Sequence, residues 1–105
     1  MSPRWVAHAE HILLCMEKIR RIEARGEIET DEVLYDAAIR NLQTLSEATQ
    51  FLPGELKSQF LHIPWKEISG FRNILVHNYL GEIDPLTIKS VIDQHLPPLE
   101  QVVRE

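Results

Sequence analysis

Apolar residues recur at Trp5, Ala9, Ile12, Met16, Ile19 and Ile22, with Leu13 widening the stripe. Steps of three and four are the helical period, so this stretch predicts a long amphipathic helix. Ser2 and Pro3 suit its opening, one as an acceptor for free backbone N–H groups and the other as a first helical residue. Arg20, Arg21 and Arg25 load the last turn with positive charge, and Gly26 is the expected stop. These arginines read as a solvated face that compensates the helix dipole, in preference to a contact with an RNA backbone. After a short connector, Thr30 is the expected N-cap of a second helix, with Asp31 and Glu32 in its acidic first turn. Its seam is Leu34, Ala38, Asn41, Leu42, Leu45, Ala48 and Leu52, and Pro53-Gly54 breaks it after about Leu52.

Glu55 to Phe60 predicts a short helix. His62, in the loop-like stretch before Pro64, reads as structural or solvated. A fourth helix opens near Pro64-Trp65, runs to about Tyr79 and stops at Gly81. Asp84-Pro85 caps a fifth, with Leu86, Ile88, Val91, Ile92 and Leu96 as its stripe. Pro97-Pro98 is expected to interrupt that helix, leaving Leu99, Val102 and Val103 to a separate last turn or short helix. Strand periodicity is missing throughout. The expected architecture is an all-α bundle of about five helices, with residues 1–105 as a single domain.

Composition narrows the function classes. A chain of 105 residues buries only about two-thirds of its unfolded surface, so a second copy would help complete the core. The formal net charge of -5 argues against broad binding of nucleic acid through a basic field, while leaving room for a local basic site. The single cysteine, Cys15, forms no internal disulfide and fits a reducing compartment. The amino-terminal residues form no apolar export segment, and no run reaches the ~18 apolar residues of a membrane span. A cytoplasmic protein with no membrane association is expected.

Chemistry concentrates in the fourth helix. On a wheel of about 100° per residue, Ile68, Phe71, Ile74 and Leu75 form the expected core arc. Lys66, Ser69, Asn73 and His77 lie opposite, with Gly70 beside them. Asn73 and His77 are four apart and therefore neighbours. The missing side chain at Gly70 would let a second helix approach, which suggests a homodimer through this face. Arg72 lies about 140° round the helix from His77. The two converge only if the helix end loosens or if two symmetry-related helices meet across a twofold interface. An imidazole that moves protons and a guanidinium that grips phosphate suit RNA cleavage without a metal, with the ribose 2′-hydroxyl as the internal nucleophile. Tyr79 places a hydroxyl close by. Glu47 has two readings, a surface acid or a partner that holds Arg72, and spacing alone favours the first slightly. Asn41 likewise reads either as an amide satisfied by backbone or as a support for the histidine.

The stretch from Arg72 to Tyr79 matches an Arg-x4-His-x-Tyr motif and resembles the HepT-like branch of the HEPN superfamily. Asp36 to Leu42 with Ser46-Glu47-Ala48 resembles the second helix of that branch, and Pro64 to Phe71 the lead-in to its motif helix. Ser46 departs from the glycine common before Glu-Ala. The resemblance implies an α-helical dimer with the motif at the interface, acting as the toxin ribonuclease of a type VII-like toxin–antitoxin pair. It implies Arg72 and His77 as catalytic residues; Asn73, able to orient a phosphate or the imidazole, and Glu47 are the supporting candidates from the reading of the residues themselves. It also implies a cognate minimal nucleotidyltransferase antitoxin that transfers AMP to Tyr79. No metal or other cofactor is expected. The competing readings are a non-catalytic nucleotide- or partner-binding module and a purely structural dimerisation domain.

Overall fold

A computed structural model of the chain describes residues 4–77 and 83–104, with the side chains of Arg4, Val76 and His77 excepted. Five helices follow in order: α1 (Arg4–Arg25), α2 (Glu32–Thr49), α3 (Gly54–Ser58), α4 (Trp65–His77) and α5 (Pro85–Arg104). The described residues contain no strand. α1 packs along α2, α2 along α4, and α5 against α1. Ile12, Met16 and Ile19 of α1 meet Leu42 and Leu45 of α2, Leu75 of α4, and Ile88 and Leu99 of α5 in one buried cluster. Full burial of each such side chain stabilises the fold by about 1.5–3 kcal/mol relative to exposure.

Local chemistry sets the helix boundaries. The N-cap of α2 is Asp31, one residue beyond the expected Thr30. Its side-chain oxygen accepts from the Val33 and Leu34 N–H groups at 2.9 and 3.3 Å. Thr30 is instead used in the preceding turn, where its N–H donates to the Glu27 carbonyl. Gly26 has no left-handed φ. The constraint there is space, since a Cβ would stand 3.0 Å from Leu34 Cδ1. Regular α2 ends at Thr49, three residues short of Leu52. Gln50, Phe51 and Leu52 each donate to the carbonyl three residues back, tightening the exit into a narrow turn. The short third helix covers Gly54–Ser58 rather than Glu55 to Phe60. Asp84 caps α5 as expected, accepting from the Leu86 N–H at 2.9 Å.

The main correction concerns Pro97-Pro98. α5 is not interrupted there and continues to Arg104. The carbonyls deprived of donors belong to Asp93 and Gln94, both on the exposed side where water can serve them. Meanwhile Leu96, Leu99 and Val102 are buried. Glu100 binds Arg20 of α1, and Arg104 binds Glu100 at 3.1 Å. Burial on one face and ion pairing together offset the helix-breaking tendency. A second correction concerns Ile74, expected in the core but 48% exposed. It lies on the margin of the apolar arc, beyond the strip of α4 that α2 covers.

Candidate functional site

α4 runs back along α2, so its midpoint meets the carboxyl-terminal half of α2. Leu75, 1% exposed, anchors α4 in the core. Ser46 lies in the α2 wall, buried and satisfied by donating to the Leu42 carbonyl at 2.7 Å. Its hydroxyl therefore burdens the packing with no unpaired group.

On this frame Arg72 is half-buried. Its Nη1 donates to Asn73 Oδ1 at 3.2 Å, and its Nη2 lies 3.9 Å from Glu47 Oε2. The second separation exceeds a hydrogen bond, so Glu47 attracts the guanidinium without consuming a donor. Arg72 Nε is buried and has no hydrogen-bond partner among the described residues. The guanidinium is thus held by one neighbour, faced by a half-exposed carboxylate, and left with donors to spare. Such a group can accept a phosphate through two parallel bonds.

Glu47 therefore combines both of its readings, half exposed yet facing Arg72. Asn41 donates to the Ala37 carbonyl of its own helix at 2.9 Å, which matches the backbone-satisfied reading. Asn73 is exposed beside Arg72. His77 is the last described residue of α4, with its side chain outside the described residues. Tyr79 and Gly81 lie wholly outside them. His62 is exposed and meets Phe60 edge-on, in keeping with a solvated role.

A cleft of about 770 Å³ opens beside the last turn of α4, where Leu75 meets Arg40 and Gln43 of α2. Glu29, Asp31 and Asp36 make much of its rim acidic. Across it the Tyr35 hydroxyl donates to the Ile83 carbonyl at 2.6 Å, tying α2 to the lead-in of α5. Sequence reasoning missed this bond because no spacing rule links residues so far apart. It also missed the cation–aromatic pair of Lys57 and Trp65. Burial holds the Lys57 ammonium below its ordinary range. No group of His, Cys, Asp and Glu among the described residues is arranged to hold a metal ion. None of the described helices is long and apolar enough to cross a membrane.

The fold is an all-α HEPN-type bundle, and its fourth helix carries Arg72. The chain belongs to the Ribonuclease HepT-like family, whose profile matches residues 10–105. It is 34% identical over 93% of its length to "Putative RNase TTE0752" of Caldanaerobacter subterraneus subsp. tengcongensis, covering 89% of that protein. It is 31% identical over 74% of its length to "Putative RNase MJ1380" of Methanocaldococcus jannaschii, covering 71% of it. Against "Probable ribonuclease HepT" of Thermococcus cleftensis the identity is 29%, over 90% of each chain. No solved structure matches the chain.

Proposed function

We propose that this protein is an endoribonuclease that cleaves RNA without a metal, using Arg72 and His77. The observation that carries the reading is the state of Arg72. Its side chain is half-buried, its buried Nε–H has no partner among the described residues, and its Nη2 stands 3.9 Å from Glu47. A phosphodiester can accept from the Nη donors that Asn73 and Glu47 leave free. Membership of a ribonuclease family supports the same substrate class.

In the proposed reaction the His77 imidazole takes the proton of the ribose 2′-hydroxyl. The 2′-oxygen attacks the adjacent phosphorus, and Arg72 neutralises the charge that builds on the phosphoryl oxygens. The bond from phosphorus to the 5′-oxygen breaks, and that oxygen receives a proton. The products are a 2′,3′-cyclic phosphate and a free 5′-hydroxyl. Asn73, which accepts from Arg72 and sits one turn before His77, keeps the guanidinium aligned.

The proposed active form is a homodimer joined through the exposed side of α4. Gly70 has open space where a Cβ would be, and Ile74 beside it presents an uncovered apolar side chain. A twofold contact there would bring an Arg72 and a His77 from different copies into one cleft. The biological role we assign is the toxin of a toxin–antitoxin pair, silenced when a minimal nucleotidyltransferase transfers AMP to Tyr79. Support for this step is the motif from Arg72 to Tyr79 itself. AMP on Tyr79 would add bulk and negative charge beside a phosphate pocket.

The test is cleavage of total cellular RNA in EDTA by the unmodified protein and by His77→Ala, with the mass of Tyr79-containing peptide checked first. Cleavage by the parent alone, leaving cyclic phosphate ends, is expected. Failure of an unmodified, dimeric parent to cleave would overturn the reading in favour of a non-catalytic binding module.

A further inference from the structure

The connection from α2 into α4 gathers basic and aromatic side chains away from the Arg72–Glu47 pair. The Lys57 ammonium of α3 stands 5.9 Å from the centroid of the Trp65 ring, at the outer reach of a cation–π contact. Trp65 is fixed in place because its indole N–H donates to the carbonyls of Lys57 and Phe60, each at 3.1 Å. Phe60 meets the exposed ring of His62 edge-on, with centroids 6.2 Å apart. Lys66 follows on the exposed side of α4.

Lys57 shares the lack of an ion pair among the described residues with Lys18, Arg25, Arg40 and Lys66, and differs from those four exposed cations in being partly buried. The chain holds 16 carboxylate residues against 11 lysines and arginines, so a cation has many possible partners. Arg20, Arg21, Lys89 and Arg104 each take one. Lys57 has no ion pair among the described residues. Burial lowers the proton affinity of its ammonium. A partly desolvated, unneutralised lysine gains most from an anion supplied from outside.

Position connects this cluster to the proposed site. Trp65 and Arg72 are one heptad apart on α4, so they emerge from nearly the same side, about 10 Å apart along the axis. Stacked nucleotides advance roughly 3.4 Å each. A strand with one phosphate at Arg72 therefore brings another past Lys57 two or three nucleotides away. Cations along a backbone path, with aromatic rings on which bases stack, are the general means of holding a single strand.

We propose that the elbow between α3 and α4, with Lys57 over Trp65 and Phe60 against His62, is a binding subsite for single-stranded RNA flanking the phosphate at Arg72. The subsite rests on the ribonuclease reading for its substrate. Lys57 takes a backbone phosphate, and the exposed His62 ring offers a stacking surface to a neighbouring base. Neither touches the scissile bond, so the subsite governs affinity for longer strands rather than the chemical step.

The experiment measures fluorescence anisotropy of a 2′-O-methyl oligonucleotide of about 12 nucleotides, which binds but cannot be cut, beside a dinucleotide too short to reach Lys57. Lys57→Gln is expected to weaken binding of the long strand about tenfold and to reduce the salt slope by about one. Lys57→Arg should restore both, and dinucleotide binding should not change. On cleavable RNA the Lys57→Gln loss should fall on KM, with kcat retained. Unchanged long-strand affinity in Lys57→Gln, an equal loss on the dinucleotide, or no RNA binding by the parent would each overturn the subsite. A parent that cuts RNA while Lys57→Gln binds normally removes the subsite and leaves the ribonuclease reading intact. A parent that binds through Lys57 yet never cuts does the reverse.

Discussion

Arg72 and Glu47 face each other across the packing of α4 on α2, with 3.9 Å between Nη2 and Oε2. The contact is electrostatic and directs the guanidinium without saturating it. Both side chains are partly exposed, so the pair contributes no more than about 1 kcal/mol to stability. Its consequence is orientation. Glu47→Gln should leave the melting temperature nearly unchanged and reduce kcat/KM on RNA about tenfold, equivalent to about 1.4 kcal/mol in the barrier. Thermal melts and initial rates on one preparation check both halves. Equal activity in the variant would remove Glu47 from the site.

The exposed margin of α4 gives a prediction about assembly. Ile74 is 48% exposed, and Gly70 has open space beside it. Ile74→Glu would place a charge in the proposed interface while leaving the monomer core untouched. The expected result is loss of the dimer by light scattering, retention of helical circular dichroism, and loss of ribonuclease activity. A variant that stays dimeric would move the interface elsewhere.

α5 carries its two prolines inside a continuous helix. Pro97 is exposed and its ring supplies no N–H to the Asp93 carbonyl. Pro97→Ala would supply that donor and remove the clash with the preceding turn, against a modest gain in unfolded-chain entropy. A net stabilisation of about 1–2 kcal/mol is expected by urea denaturation. Destabilisation would show that proline is needed to shape this end of the helix.

The tie between α1 and α5 makes stability depend on pH. The hydrogen bond from Arg20 lowers the Glu100 carboxyl below its ordinary value of 4.5, aided by Arg104, although burial acts the other way. A carboxyl lowered in the fold lends stability that is fully present above that ordinary value. The contribution is lost as pH falls through the lower folded value. Urea midpoints should therefore decline below about pH 4.5 more steeply in the parent than in Glu100→Gln. Parallel curves would mean that Arg20 and Glu100 contribute nothing measurable.

The sequence by itself determined the helices, because the period of three and four from Trp5 to Ile22 leaves those segments no other way to bury an apolar face. Asp84 and Pro64 announced their helix starts through capping chemistry that acts over a few residues. The segment from Arg72 to Tyr79 was legible for the same reason, since a motif is a local pattern. Tertiary structure decided what depends on neighbours distant in sequence. Pro97 and Pro98 stay helical because Leu99 and Val102 are buried and Glu100 reaches Arg20. Ile74 is exposed because α2 covers only one strip of α4. Glu47 meets Arg72, and Lys57 meets Trp65, only once α2, α3 and α4 are placed together. Periodicity fixes which face of a helix is apolar, whereas the packed partners fix how much of that face is covered and which charges meet.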